Sequence, residues 1–177
     1  IKRDTKILTI YEGTSEIQQN IIGVFRIREN VRAKGGFYNG LADKVARLEH
    51  VNGPLVANAA RFLSECTLAA FHGKLMRQQH AVFELALAMA GVETAVALCE
   101  AAAKNGSELL RAQARVHGAD VALSVGTRLL KLFAGSGLYD SGKLAELSAV
   151  ADLAGSIAAQ AGVLGDMDFI AAAITAA

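Results

Sequence analysis

Apolar positions recur along this chain at three- and four-residue spacing, the repeat of one helix face. Ile17, Ile21, Ile22, Val24, Phe25 and Ile27 predict a helix running to about Val31. Ser15 followed by Gln18 has the form of a capping box at its start, and Lys34-Gly35-Gly36 ends it. A short amphipathic stretch, Leu41 to Val51, comes next. Asn52-Gly53-Pro54 then reads as a stop and a fresh start, with Pro54 in the first helical turn. Leu55, Ala59, Phe62, Leu63, Leu68, Phe71 and Leu75 predict a helix to about Arg77, with a candidate break near Gln78-Gln79-His80 that carries neither Gly nor Pro. Val82 to Lys104 is strongly helical and ends at Asn105-Gly106. Ser107 is a good N-cap for a helix from Glu108 to about Phe133, closed by Gly135-Ser136-Gly137. Ser141 opens another, to about Ala161, stopped by Gly162, and Asp166 caps a short last helix, Met167 to Ala176.

The expected fold class is therefore all-α. Residues 54–161 read as four long helices joined by short loops, an antiparallel bundle. Gly91, Gly118, Gly126 and Gly155 fall inside those helices, where each costs roughly 1 kcal/mol relative to Ala. Close helix-helix packing is the expected reason. Three segments suggest themselves: 1–34, a connecting short helix and linker at 35–53, and the bundle at 54–177.

Composition supports helices. Alanine fills 34 of 177 positions and proline only one, and Ala costs least and Pro most in a helix. An apolar content of 53% with a mean hydropathy of +0.32 excludes intrinsic disorder. The net charge of +1 is unevenly placed. Residues 1–47 carry nine basic and five acidic groups, and residues 48–177 carry nine and twelve. Nothing here is the strongly basic face that nucleic acid demands. Arg26, Arg28, Arg32 and Lys34 form a basic run, read either as a solvated helix face or as an attractor for phosphates.

Other chemistries lack their spacing. Cys66 and Cys99 lie far apart in apolar runs and read as reduced, buried thiols. No CxxC or zinc pattern occurs. His50, His72, His80 and His117 have no metal-ligand spacing, and no Glu is followed by His three residues on, as a di-metal bundle requires. The longest charge-free run, Leu153 to Gly165, is too short to span a bilayer. With no secretory signal pattern and reduced cysteines, a cytoplasmic location is expected, with peripheral membrane association left open. The chain opens on Ile1 rather than Met and is expected to be part of something longer.

One segment carries a sharper signal. Arg3-Asp4-Thr5-Lys6-Ile7, followed by Ile10-Tyr11-Glu12-Gly13-Thr14-Ser15-Glu16-Ile17-Gln18, resembles the C-terminal signature of the acyl-CoA dehydrogenases, about sixteen residues in order with the right gap. The resemblance implies that Glu12 is the catalytic base, removing the α-proton of an acyl-CoA thioester while a hydride leaves the β-carbon for FAD. It implies that Thr14 and Glu16 contact FAD, and that Gly13, lacking a side chain, lets the thioester approach the backbone. Glu16 departs from the Gln of some members, and a carboxylate suits a pyrophosphate poorly. An arbitrary Glu before a helix is ordinarily a dipole-complementing residue; only the whole motif reverses that reading. The rest of the chain, through Lys74-Leu75-Met76, Glu84, Leu85, Ala88, Ala95, Ala101 and Lys104, is similar to the C-terminal extension of very-long-chain-type members and bacterial relatives. By that resemblance, electron-transfer flavoprotein is a partner, a homodimer or higher homo-oligomer is expected, and the isolated chain holds no FAD and is inactive. The alternative is a structural or oligomerisation helical domain without catalytic role.

Overall fold

The computed structural model describes residues 13–176. Among the described residues there is no strand. The helices are α1 (Ser15–Arg32), α2 (Gly36–Val45), α3 (Gly53–His72), α4 (Gln79–Asn105), α5 (Glu108–Ser136), α6 (Ser141–Ala151), α7 (Leu153–Ala158) and α8 (Val163–Thr175), with single 3-10 turns at Glu49–Val51 and Leu75–Arg77.

Cross-helix contacts fix the directions. Arg128 meets Glu84 and His117 meets Thr94, so α4 and α5 run antiparallel. Asn52 donates to the Arg115 carbonyl, and Leu138 packs over Gly73, so α3 and α5 run parallel. Leu153 lies over Gly126, Gln160 donates to the Ala119 carbonyl, and Asp166 pairs with Arg115. The chain from α6 to α8 therefore runs back along α5 as a fourth column.

That column corrects the expectation of one helix from Ser141 to about Ala161. It divides at Asp152, which adopts a left-handed φ of 45° and caps α7 by accepting from the Gly155 N–H at 3.0 Å. The cause lies beneath it. A Cβ on Gly126 would stand 2.7 Å from the Leu153 side chain, so the glycine makes room for Leu153 to insert. Asp166 is likewise not a cap. α8 starts at Val163 after Gly162 (φ +87°), and the Asp166 carboxylate turns to Arg115 instead.

Other boundaries shift for local reasons. α3 stops at His72, because Leu138 fills the space a side chain at Gly73 would need and Lys74 turns left-handed (φ 60°). The glycine pair that ends α1 also begins α2, so the short helix lies five residues earlier than Leu41. Gly53-Pro54 opens α3 as expected, and a Cβ on Gly53 would collide with the Val45 carbonyl oxygen.

One core runs through all of this. Ile27, Tyr38, Phe62, Leu63, Leu85, Met89, Leu129 and Phe133 are fully enclosed or nearly so. α1 and α2 thus share the core of the bundle. α4 is long and apolar enough to cross a membrane, but half of that stretch is buried against its neighbours. Cys66 and Cys99 are both free and buried. Burial holds both thiols protonated, Cys99 pushed up to about 11, and its S–H donates to the Val51 carbonyl.

Candidate functional site

Glu12, the expected base, lies outside the described residues, as does the rest of the motif before it. Gly13, Thr14 and Glu16 are brought together at the N-terminal mouth of α1, open to solvent. Gly13 has φ +127°, a conformation that side-chain-bearing residues rarely adopt. A Cβ there would meet Ile17 at an ordinary 3.5 Å, so backbone conformation rather than crowding requires the glycine.

Thr14, not Ser15, is the N-cap. Its backbone is extended, and its Oγ1 accepts from the Ile17 N–H at 3.5 Å. Gln18 does not close a capping box onto the cap N–H. Its Nε2 donates instead to the Gly13 carbonyl at 3.2 Å. The Glu16 carboxyl is held below the usual carboxylate range by its own backbone N–H and by the Thr14 hydroxyl. It is therefore ionised, beside the positive end of the α1 dipole.

This bears on which part of a flavin nucleotide could sit here. With the Glu16 carboxylate ionised at this helix end, a pyrophosphate does not fit beside it, since like charges would face each other. Hydroxyl groups fit. The Glu16 carboxylate accepts from them, and the Thr14 hydroxyl can donate or accept.

The basic run separates. The Arg26 guanidinium is engaged by carboxylates: Nε and Nη2 each donate to Glu93 at 2.8 Å, and Nη1 to Glu29 at 2.7 Å. It also lies 4.9 Å from the centre of the Phe37 ring. Those carboxylates push its pKa up, so it stays charged and paired. Arg28, Arg32 and Lys34 are exposed. Glu93 also accepts from the Tyr38 hydroxyl at 3.1 Å. Among the described residues, no group of three His, Cys, Asp or Glu side chains converges to hold a metal.

Among the depressions on the surface of the described residues, three stand out. The first, of about 380 Å³, lies between Ile21, Ile22 and Phe25 of α1 and Ala90, Glu93 and Thr94 of α4. The second, of about 620 Å³, lies over α5, between Leu98 of α4 and Val163, Met167 and Ile170 of α8. The third, of about 390 Å³, is lined by charged and polar residues among others, and its Arg128 donates to Glu84 at 2.6 Å. Sequence reading passed over the apolar pair. The signal was present, since α8 offers apolar residues on nearly every side, more than one buried stripe needs. No family model, no curated protein and no solved structure matches this chain.

Proposed function

We propose that this chain is the C-terminal part of an FAD-dependent acyl-CoA dehydrogenase. The observation that carries the reading is the ordered match of residues 3–18, with Tyr11-Glu12-Gly13-Thr14 at its centre. Two features support it. Gly13 occupies a backbone conformation that asks for glycine, and Thr14, two residues after Glu12 in the sequence, caps a helix.

In this reading Glu12 takes the α-proton of the acyl thioester. An α-proton is a weak acid, so the base must sit within hydrogen-bond reach and have a pKa raised toward neutrality by apolar surroundings. Gly13 leaves the backbone accessible to the thioester. Thr14 and Glu16 hold hydroxyl groups of FAD rather than its phosphates. FAD, when bound, accepts the hydride that leaves the β-carbon. Electron-transfer flavoprotein then takes the electrons. The family's flavin site draws on several domains, so this chain alone is inactive. The purified 177-residue chain should be colourless, and a flavin absorption band would contradict that. In the whole enzyme, Glu12→Gln should abolish α-proton exchange while leaving flavin bound. Continued turnover would place the base elsewhere and remove Glu12 from that role.

A second reading, a structural domain that holds subunits together, is favoured by a different observation. Large apolar side chains of α1 and α8 stand in solvent, Phe25 being 68% and Leu164 77% exposed.

A further inference from the structure

Asparagine precedes glycine at three places, Asn39-Gly40, Asn52-Gly53 and Asn105-Gly106. Such a pair can react with itself. The glycine amide nitrogen loses its proton to solvent and attacks the side-chain carbonyl carbon Cγ of the asparagine, which must swing over its own peptide unit. Glycine permits this best, having no Cβ in the way. The fold treats the three pairs differently.

Two are held away from the reaction. Asn39 and Gly40 stand at the surface, but both lie inside α2, where the helical ladder engages the Gly40 N–H. The Asn39 N–H donates to the Gly35 carbonyl at 3.2 Å. Asn52 is clamped at both ends. Its Nδ2 donates to the Arg115 carbonyl at 3.1 Å, and the Gly53 N–H donates to the Leu48 carbonyl at 2.9 Å. Gly53 is buried, with the Val45 and Leu48 carbonyl oxygens pressed around it. The third pair is open. Asn105 is the last residue of α4, Gly106 follows with a left-handed φ of +73°, and both are exposed. Among the described residues, no backbone carbonyl takes the Gly106 N–H. Apart from its chain neighbours, nothing stands within 4 Å of where a Gly106 Cβ would be.

We propose that Asn105 is a self-modification site, converting to aspartate and isoaspartate while Asn39 and Asn52 persist. The Gly106 nitrogen bonds to Asn105 Cγ, the Cγ–Nδ2 bond breaks and ammonia leaves, which closes a cyclic imide. Water then opens the ring. Attack at Cγ restores the ordinary chain and yields aspartate, and attack at the main-chain carbonyl carbon routes the chain through Cγ and yields isoaspartate. The sum is one water consumed and one ammonia released, with no change of oxidation state. Either product sets a carboxylate at the C-terminal end of α4, against the negative end of its dipole. Isoaspartate also lengthens the tight turn between α4 and α5. The conversion is thus a slow, one-way charge change where the two longest helices join.

This inference does not depend on the dehydrogenase reading. Trypsin separates the three pairs, into peptides 35–44, 48–61 and 105–111. After the folded 177-residue chain stands in mildly alkaline buffer, mass spectrometry should find the amide-to-carboxyl mass gain in peptide 105–111 at least tenfold ahead of the other two. In urea the three should convert at similar rates, since the fold no longer distinguishes them. Asn105→Gln should remove the early gain and leave the other two peptides unchanged. Conversion led by either other peptide, or shared equally among the three in the folded chain, overturns the proposal. So does a peptide 105–111 that converts only in urea. Fragmentation that resolves the two products should find isoaspartate. Aspartate alone means direct hydrolysis of the side chain and overturns the imide route.

Discussion

Asn30 has no exposed surface, yet its amide joins three elements. Its Oδ1 accepts from the Tyr38 N–H at 3.3 Å, and its Nδ2 donates to the Ser64 carbonyl and hydroxyl oxygens, each at 3.3 Å. The Ser64 hydroxyl in turn donates to the Gly35 carbonyl at 2.9 Å. Asn30→Ala strands a buried N–H on Tyr38, and a buried donor left unpaired costs about 1–3 kcal/mol. The urea midpoint should fall accordingly, with the slope of the transition unchanged. None of this could be read from the chain. Asn30 is one polar residue near a helix end, and its partner Ser64 is on another helix, in a register that sequence spacing does not encode. Thr14 shows a smaller failure of the same sort. Thr14-Ser15 offers two adjacent caps of equal chemistry, and the Gly13 turn decides between them.

Between elements, the interior glycines divide by what they touch. Gly118 and Gly126 answer the expectation of close packing, with Val56 and Leu153 where a side chain would go. Gly91 does not, since a Cβ there would meet Val121 at an ordinary 3.5 Å. Gly23, not singled out from sequence, is the tighter site. A Cβ there would stand 2.7 Å from Val82 Cγ1 and 3.0 Å from its carbonyl oxygen. Gly23→Ala should therefore push α1 off α4, at about 1–3 kcal/mol. Gly91→Ala should be neutral or stabilising by up to about 1 kcal/mol, from helix propensity alone. Paired thermal melts check the opposite signs. The helices themselves were legible because apolar period and glycine punctuation agree. The boundaries that moved, at Gly35-Gly36, Gly73 and Asp152, are those where a distant side chain or a left-handed residue sets the break.

At the scale of the molecule, the all-α class and the three long columns follow from the pattern. The division of the fourth column does not, because Leu153 over Gly126 is a tertiary contact. The candidate site was legible only as a motif, and Glu12 lies outside the described residues. Asp166 shows how the fourth column is held. Its carboxylate accepts from Arg115 at 2.6 and 2.8 Å, and the guanidinium keeps it below the usual carboxylate range. A carboxyl depressed on folding contributes stability that is fully present above the unfolded pKa of about 4 and is lost as pH falls through the lower folded value. Asp166→Asn should cost about 1 kcal/mol at neutral pH and flatten the loss of stability on acidification, as urea titrations at neutral and acid pH would show. The three pieces of that column, 11, 6 and 13 residues long, are each at or below the length at which an isolated helix holds in water. Their order is borrowed from α5, and each break lets one piece loosen without the next. The fourth column should therefore exchange its backbone amides piece by piece, ahead of the three long helices.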